Sequence, residues 1–354
     1  MLTTLLALAV TPALLALPQS QATFVASAAS DREASANAGE GAPGGMAFIP
    51  AGETIVGTDP GDVERLGQKN IQPMTEIAAE TPRHTVQVDS LFIDITETTN
   101  LQWQVYLDAT GREPSDDLVE FGWGSDEIPQ GQENFPIAGI SLAEIEAYLE
   151  WSGKRLPTEV EWTRAARGDD DRMYPWGPRW NSKLTQSGST VPQRIAAVGS
   201  YPDGASPFGV HDLSGNVWEW VNTPYAPFEG FRPIEFKQSR KKLLLTPEFN
   251  RTNLVGKGGC YISTRDFVRI DTRFRLHTGD LDAALGFRGA RSDPSGKLEA
   301  LFAGYRRLLP SRIPKAELLD TSDVFALTHT SYDSSRDVVT GFNAVTFAHP
   351  TPER

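Results

Sequence analysis

The chain has 354 residues and a formal net charge of −13, with 46 acidic side chains against 33 lysines and arginines. This acidic balance argues against a nucleic-acid partner, because nucleic-acid-binding surfaces need clustered lysine and arginine. The single cysteine, Cys260, excludes an intrachain disulfide and any metal site built from several cysteines. The 31 glycines and 25 prolines indicate a loop-rich protein that is long enough for a hydrophobic core.

The N-terminus has the pattern of an export signal. Its apolar stretch Leu2–Leu17 is rich in Leu and Ala but is too short and too interrupted to span a bilayer. We therefore predict a signal peptide over residues 1–22, with cleavage as late as residue 28. The protein would then be exported, periplasmic or extracellular, with no transmembrane segment in its mature chain. A buried N-terminal helix is the alternative, because no lysine or arginine precedes Arg32.

Residues 23–44 are mostly Ala, Ser, Gly and Glu, and this composition predicts a disordered linker. A folded domain is predicted from residue 45 to residue 293. Its first segment, residues 46–57, has two apolar runs around a Pro-Ala-Gly-Glu turn, which predicts two strands. Alternation at residues 84–88 and an apolar run at 91–95 predict two more strands.

Three helices are predicted by one combination of signals. Each has a Ser or Thr at its start, a Glu or Gln three residues later that can complete a capping box, and a glycine at its end. These residues are Thr99, Gln102 and Gly111, then Ser141, Glu144 and Gly153, and finally Thr158, Glu161 and Gly168. The signals concern local structure and carry no information about function.

The stretch from residue 168 to residue 257 shows little sign of regular structure. Within it, Leu213–Trp220 combines Trp, Gly, Asn and Glu too densely for an amphipathic helix or an alternating strand. We predict an irregular, aromatic-lined turn there, held by side-chain hydrogen bonds or by a cation. Short strands are predicted again at residues 259–262, 274–277 and 285–290. The whole pattern predicts a small α+β domain with short antiparallel strands and two or three helices.

Residues 294–354 are predicted to form a C-terminal appendage. Apolar side chains lie there at nearly helical spacing, which predicts one amphipathic helix that docks on the main domain, with a partner-binding site as the alternative. These side chains are Leu298, Leu301, Phe302, Tyr305 and Leu309. Pro310 follows and ends the helix.

Several blocks between Met46 and Arg291 occur in an order that resembles the formylglycine-generating enzyme, or sulfatase-modifying factor, family. The blocks are Asp94–Asn100, Gly153–Trp162, Tyr174–Gly177, Gly215–Trp220, Lys257–Gly259 and Gly286–Arg288. The resemblance implies a variant of the C-type lectin fold with little regular secondary structure. It also implies bound calcium, a hard ion whose oxygen ligands can order a loop that has no core of its own.

By the same resemblance, Asn216 and Glu219 are the side chains expected to bind one calcium ion. A second calcium site would begin near Asn181, but the aspartate expected downstream has no clear counterpart among residues 185–197. The alternative for Asn216 and Glu219 is capping and hydrogen bonding without a metal.

The enzymes of this family hold copper(I) between two cysteine thiolates just after a Lys-Gly-Gly-Ser strand. Aligned without gaps, the two cysteine positions are Ser263 and Val268, and the preceding serine is Cys260. Serine is a poor ligand for copper(I) and valine is none, so we do not expect copper-dependent formylglycine formation. Cys260 is a candidate reactive thiol, and a small buried hydrophobic residue is the alternative.

Iron chemistry is left open by the sequence. A non-haem iron site needs two histidines and a carboxylate, and the histidines show no spacing that would supply them. They are His84, His211, His277, His329 and His349.

Two classes of function follow. We predict an exported, calcium-stabilised, non-catalytic binding or scaffold module, with a lectin-like groove for a peptide, a glycan or a partner protein. Four aromatic residues could line this groove, namely Trp123, Trp176, Trp180 and Tyr225. The alternative is a divergent oxidase of the same superfamily, of formylglycine-generating or non-haem-iron type, that uses Cys260 or histidines.

Overall fold

The computed structural model describes residues 44–68, 71–238 and 241–294, together with the backbone of residues 332–333 and 338–339. The chain divides into two units, Met1–Gly296 and Lys297–Arg354. The predicted signal peptide, the predicted linker up to residue 43 and the C-terminal amphipathic helix lie outside the described residues. Across the described part of the chain, no helix has both the length and the hydropathy needed to cross a membrane.

The first unit contains eleven described strands and five described α-helices. The strands are β1 Met46–Ile49, β2 Gly52–Val56, β3 His84–Val88, β4 Leu91–Asp94, β5 Trp218–Tyr225, β6 Ile234–Gln238, β7 Lys241–Leu245, β8 Asn250–Lys257, β9 Phe274–Leu276, β10 Leu285–Gly286 and β11 Ala290–Ser292. The helices are α1 Val63–Leu66, α2 Ile71–Ala78, α3 Asn100–Thr110, α4 Leu142–Trp151 and α5 Glu159–Arg167. In the second unit, β12 Tyr332–Asp333 pairs antiparallel with β13 Val338–Val339.

Two sheets position the functional site. The larger one has the strand order β10-β5-β8-β9, in which β10 runs parallel to β5 and the other neighbours are antiparallel. The smaller one, β1-β4-β11, is antiparallel throughout. The two opening strands exist as predicted, but β1 pairs with β4 whereas β2 pairs with β3, so they belong to different sheets.

All three predicted capping boxes are formed. At the start of α5, for example, the Thr158 hydroxyl accepts a hydrogen bond from the Glu161 backbone N–H, and the Glu161 carboxylate accepts one from the Thr158 N–H. Two of the four orphan N–H groups of the helix are satisfied in this way. The short helices α1 and α2 were not predicted, because no such signal marks them. Met74 and Ile77 of α2 are fully buried, so tertiary packing holds this helix.

The prediction of little regular structure between residues 168 and 257 was wrong, because β5 to β8 lie there. In β5, the consecutive residues Trp220 and Val221 are both fully buried and belong to different hydrophobic clusters. A strand that is buried on both faces lacks the polar–apolar alternation that reveals a strand in a sequence.

A strand predicted at residues 259–262 is instead a turn. Gly258 and Gly259 both have positive φ angles, of 88° and 77°, and therefore leave the extended region directly after β8. The predicted α+β class is confirmed, with short antiparallel strands and two more helices than the capping signals revealed.

Candidate functional site

The chain between α5 and β8 passes through a tight turn that precedes β5. Gly215 has a φ of 93° and Asn216 one of 59°, and a side chain on Gly215 would collide with the carbonyl of Gln186. The predicted irregular turn is therefore present at Gly215–Asn216. It does not extend to Trp220, because residues from Trp218 onward are paired with β8 and β10.

Glu219 is fully buried in β5 and accepts three hydrogen bonds. Arg288 donates to both carboxylate oxygens, from Nε to Oε2 and from Nη2 to Oε1, each at 2.7 Å. The indole Nε1 of Trp162 donates to Oε2 at 2.8 Å. The carboxylate that the resemblance assigns to calcium is therefore engaged by an internal cation, and calcium at Glu219 would have to share it with Arg288.

The side chain of Asn216 joins two other segments to the turn. Its Oδ1 accepts from the backbone N–H of Ala196 at 3.0 Å, and its Nδ2 donates to Oε1 of Glu97 at 3.0 Å. Its backbone carbonyl accepts from the N–H of Tyr261 at 2.8 Å. Asn216 thereby links the turn to the segment after β8 that carries the only cysteine of the chain. Calcium at Asn216 stays a prediction.

Two carboxyl groups that sequence reasoning missed lie beside this turn. Glu97 is fully buried and Asp212 is half-buried, and their side chains are within hydrogen-bonding reach of each other. Burial, together with the neighbouring charge of Asp212, raises the pKa of Glu97 well above its usual value, although Arg288 opposes the shift. Burial likewise raises the pKa of Asp212, against the hydrogen bond from the Gly199 N–H.

The second carboxylate oxygen of Glu97, Oε2, is also buried, and it accepts no hydrogen bond from an N–H or hydroxyl donor of the described residues. With Glu219, the cluster places three carboxyl groups near one arginine, so acidic groups outnumber cations. A hard cation that takes carboxylate and amide oxygens would fit this excess. No group of three or more His, Cys, Asp or Glu with metal-site geometry occurs among the described residues, so backbone oxygens would have to complete the ligand set.

The turn after β8 holds Cys260 and the two positions aligned with the copper ligands. Cys260 is buried, and its Sγ lies 3.5 Å from Oγ of Ser263. The Ser263 hydroxyl also accepts from the Cys260 N–H at 3.0 Å, which closes the turn. Val268 is fully buried, with its side chain against Gly259. These residues do not fit copper(I), because neither aligned position supplies a thiolate.

The histidines in the described part of the chain do not meet at one metal site. His84 contacts the Phe228 ring edge-on, and its Nδ1 lies 2.9 Å from the carbonyl of Pro82. His211 lies next to Asp212, and burial lowers its pKa. His329 and His349 lie outside the described residues.

Asn181 caps a short helix. Its Oδ1 accepts from the N–H of Lys183 at 3.1 Å, at the start of the 3-10 turn Ser182–Leu184. This capping hydrogen bond explains why an asparagine stands at this position even if no metal binds there. A second calcium ion near Asn181 stays a prediction.

The four predicted groove aromatics separate into two kinds. Trp123 is buried in the core, so the prediction that it lines a groove was wrong, whereas Tyr225 is buried but lines a cleft of about 340 Å³ beside Arg273. Their rings fill apolar clusters, which is the commoner use of large aromatic side chains. Trp176 and Trp180 are half-buried and pack on Tyr174, with Trp176 stacked on its ring at 5.2 Å.

A cleft opens beside Tyr261, one residue after the cysteine. Its volume is about 490 Å³, within the range of roughly 300–1,000 Å³ that ligand sites occupy. Three separate segments form it, namely residues 130–135, residues 193–195 and Tyr261. No signal in the sequence predicted the cleft, because its three segments are far apart in the chain and come together only in the folded protein.

A family model described as the sulfatase-modifying factor enzyme 1-like domain matches residues 31–293. The chain belongs to the FGE-sulfatase family. The resemblance drawn from the sequence blocks is therefore confirmed, and the FGE-sulfatase domain accounts for most of the chain.

Curated relatives of this FGE-sulfatase chain carry several names. It is 31% identical over 222 residues to hercynine oxygenase of Mycolicibacterium smegmatis, which covers 54% of this chain and 51% of the relative. It is 27% identical over 305 residues to the formylglycine-generating enzyme of Mus musculus, which covers 69% of this chain and 74% of the relative. The chain thus spans about half the length of the hercynine oxygenases that it matches.

Two solved structures share the fold. PvdO from Pseudomonas aeruginosa has a TM-score of 0.52 at 22% identity, covering 70% of this chain and 94% of PvdO. Treponema denticola variable protein 1 has a TM-score of 0.51 at 19% identity, covering 70% of this chain and 95% of that protein. At these identities the likeness concerns the fold alone.

Proposed function

We propose that this FGE-sulfatase domain is a binding module that does not carry out copper-dependent oxidation. The proposal rests on Ser263 and Val268, which the family resemblance aligns with the copper-binding cysteines and which supply no thiolate. Val268 is fully buried, and its side chain has no atom that could bind a metal ion. The one thiol nearby, that of Cys260, is itself buried and in contact with the Ser263 hydroxyl. A single buried thiol does not hold copper(I) with positions open for substrate and dioxygen.

The cleft beside Tyr261 is the proposed binding site for a peptide, a glycan or a partner protein. It adjoins the turn that would be catalytic in an enzyme of the family, and its volume suits a short ligand segment. The proposal includes export of the protein, which N-terminal sequencing of the mature form from the cell exterior or periplasm would test.

The proposal also includes calcium as a structural ion. Glu97 and Asp212 would hold it together with the amide oxygen of Asn216 and backbone carbonyls. A bound calcium ion would supply positive charge to a buried cluster in which Arg288 is outnumbered by carboxyl groups. Its role would be to order the turn before β5.

The names of the relatives favour a second candidate, an oxidoreductase of the same superfamily. Hercynine oxygenase is an oxygenase by name, and the formylglycine-generating enzyme is by name an enzyme as well. An activity of this kind would require Cys260, or an iron site in which His211 or His277 meets further ligands. Metal analysis of the purified protein separates the candidates, because stoichiometric iron or copper favours the oxidoreductase.

The decisive experiment compares three proteins for copper(I) binding and for conversion of a cysteine-containing peptide to the aldehyde. They are the wild type, Cys260→Ser, and Cys260→Ser combined with Ser263→Cys and Val268→Cys. We expect copper(I) binding only in the third protein, where two thiolates return to the aligned positions. Stoichiometric copper binding or aldehyde formation by the wild type would overturn the proposal.

A further inference from the structure

The cleft beside Tyr261 differs in charge from the rest of the chain. Eight residues line it, and none of them is acidic. They are Gln130, Gly131, Gln132, Phe135, Gln193, Arg194, Ile195 and Tyr261. The whole chain carries a net charge of −13, so a cleft whose one ionised side chain is an arginine stands apart. Its charge favours an anionic ligand.

The backbone around Arg194 is fixed on both sides. The buried side chain of Gln186 donates from Nε2 to the carbonyl of Pro192 at 3.0 Å and to that of Arg194 at 2.7 Å. Two residues later, the N–H of Ala196 donates to Asn216. The backbone of Arg194 is therefore held in place before any ligand arrives, which lowers the entropic cost of binding.

The guanidinium of Arg194, in contrast, has no ion-pair or hydrogen-bond partner within the described residues, and the side chain is exposed. Buried arginines of the described chain are paired instead, as Arg288 is with Glu219 and Arg269 with Glu80. An arginine on a fixed backbone with an unengaged planar head can bind a carboxylate through two parallel hydrogen bonds.

Amide groups flank this arginine. The side chains of Gln130 and Gln132 are exposed, and neither forms a hydrogen bond in the part of the chain that the structure describes. A glutamine amide carries both donors and an acceptor, which match the N–H and C=O groups of a peptide backbone. Phe135 and Ile195 are half-buried and provide an apolar wall.

We propose that the cleft binds an acidic peptide segment, with a glutamate or aspartate carboxylate on Arg194 and the peptide backbone on Gln130 and Gln132. This inference rests on the proposed binding function of the cleft and adds the charge and the class of the ligand.

The test uses the full chain and a fluorescently labelled octapeptide that alternates Glu with Ser, read by fluorescence anisotropy. The matched peptide has Gln at each Glu position. We expect the acidic peptide to bind more tightly, and Arg194→Gln to weaken its binding by about twofold to fivefold, the upper range of an exposed ion pair. Arg251→Gln removes another exposed arginine, in β8, and should leave the affinity unchanged. Arg194→Lys should retain part of it.

Several results would overturn the inference. Equal binding of the acidic and neutral peptides would show that the cleft does not select for acidic residues, although it would still be a peptide-binding site. No binding of either peptide, or stronger displacement by an alginate oligosaccharide or by glutarate than by unlabelled peptide, would exclude an acidic peptide as the ligand. None of these results bears on copper binding, so the proposed absence of copper chemistry is tested separately.

Discussion

Arg288 and Glu219 form a two-point ion pair in which neither side chain has any exposed surface. Arg288 also donates to the backbone carbonyls of Asp94, Ile95 and His211. The pair therefore joins β5 to the end of β4 and to the segment before the Gly215–Asn216 turn. A buried charge that keeps all its partners is tolerated, whereas one that loses its partner is costly.

We expect Arg288→Met to lower the free energy of unfolding by about 3–5 kcal/mol, because it leaves Glu219 charged, buried and without its cation. Urea unfolding measures the loss. The control is Lys242→Met, which breaks the exposed pair with Glu235 and should cost under about 1 kcal/mol. The double variant Glu219→Leu/Arg288→Met should lose less free energy of unfolding than the two single variants lose in sum. A cost for Arg288→Met no larger than that of the control would contradict this account.

Calcium should raise the unfolding midpoint of the wild type, and EDTA should lower it. The expected gain is about 2.7 kcal/mol when calcium exceeds its dissociation constant a hundredfold. Glu97→Gln and Asp212→Asn should each weaken the response, because they remove proposed ligands, while the exposed Asp116→Asn should not. Thermal shift with and without calcium measures the effect. An identical midpoint in EDTA and in millimolar calcium would exclude calcium from this cluster.

The stability of the fold should rise with pH above 8 because of Lys257. Burial lowers the pKa of Lys257 to about 8 from 10.5, although Glu159 opposes the shift, and its Nζ donates to the carbonyl of Ile270. Between these two values the unfolded chain binds more protons than the folded protein. The free energy of unfolding therefore rises with pH, by up to about 1.4 kcal/mol per pH unit.

Urea unfolding between pH 7.5 and pH 10 checks this dependence. Lys257→Met should remove it, and the exposed Lys237→Met should preserve it. If the difference between wild type and Lys257→Met stays constant over this range, Lys257 keeps its charge in the folded protein and Glu159 compensates fully for its burial.

The features that the sequence predicted most reliably are those that depend only on residues close together in the chain. Thr158 and Glu161 lie three residues apart, so the capping box they form needs no tertiary contact, and it is present as predicted. The family blocks are likewise a property of the sequence, and the family match confirms them. The presence of only one cysteine could be read in the same way, because it is a property of the sequence.

The contacts that depend on distant parts of the chain were missed. Glu97 follows β4 and Asp212 precedes β5, and nothing in either local sequence indicates that their carboxyl groups meet. The same holds for the cleft, whose walls are more than fifty residues apart in the chain.

What the sequence by itself determined, then, is the family, the capped helices and the absence of a thiolate pair. The tertiary structure alone decided that β5 is a buried strand, that Arg288 takes the carboxylate of Glu219, and that Arg194 faces a cleft without acidic residues. The physical reason is that local hydrogen bonds depend on spacing along the chain. Burial and charge pairing, in contrast, depend on which remote segments the fold brings together.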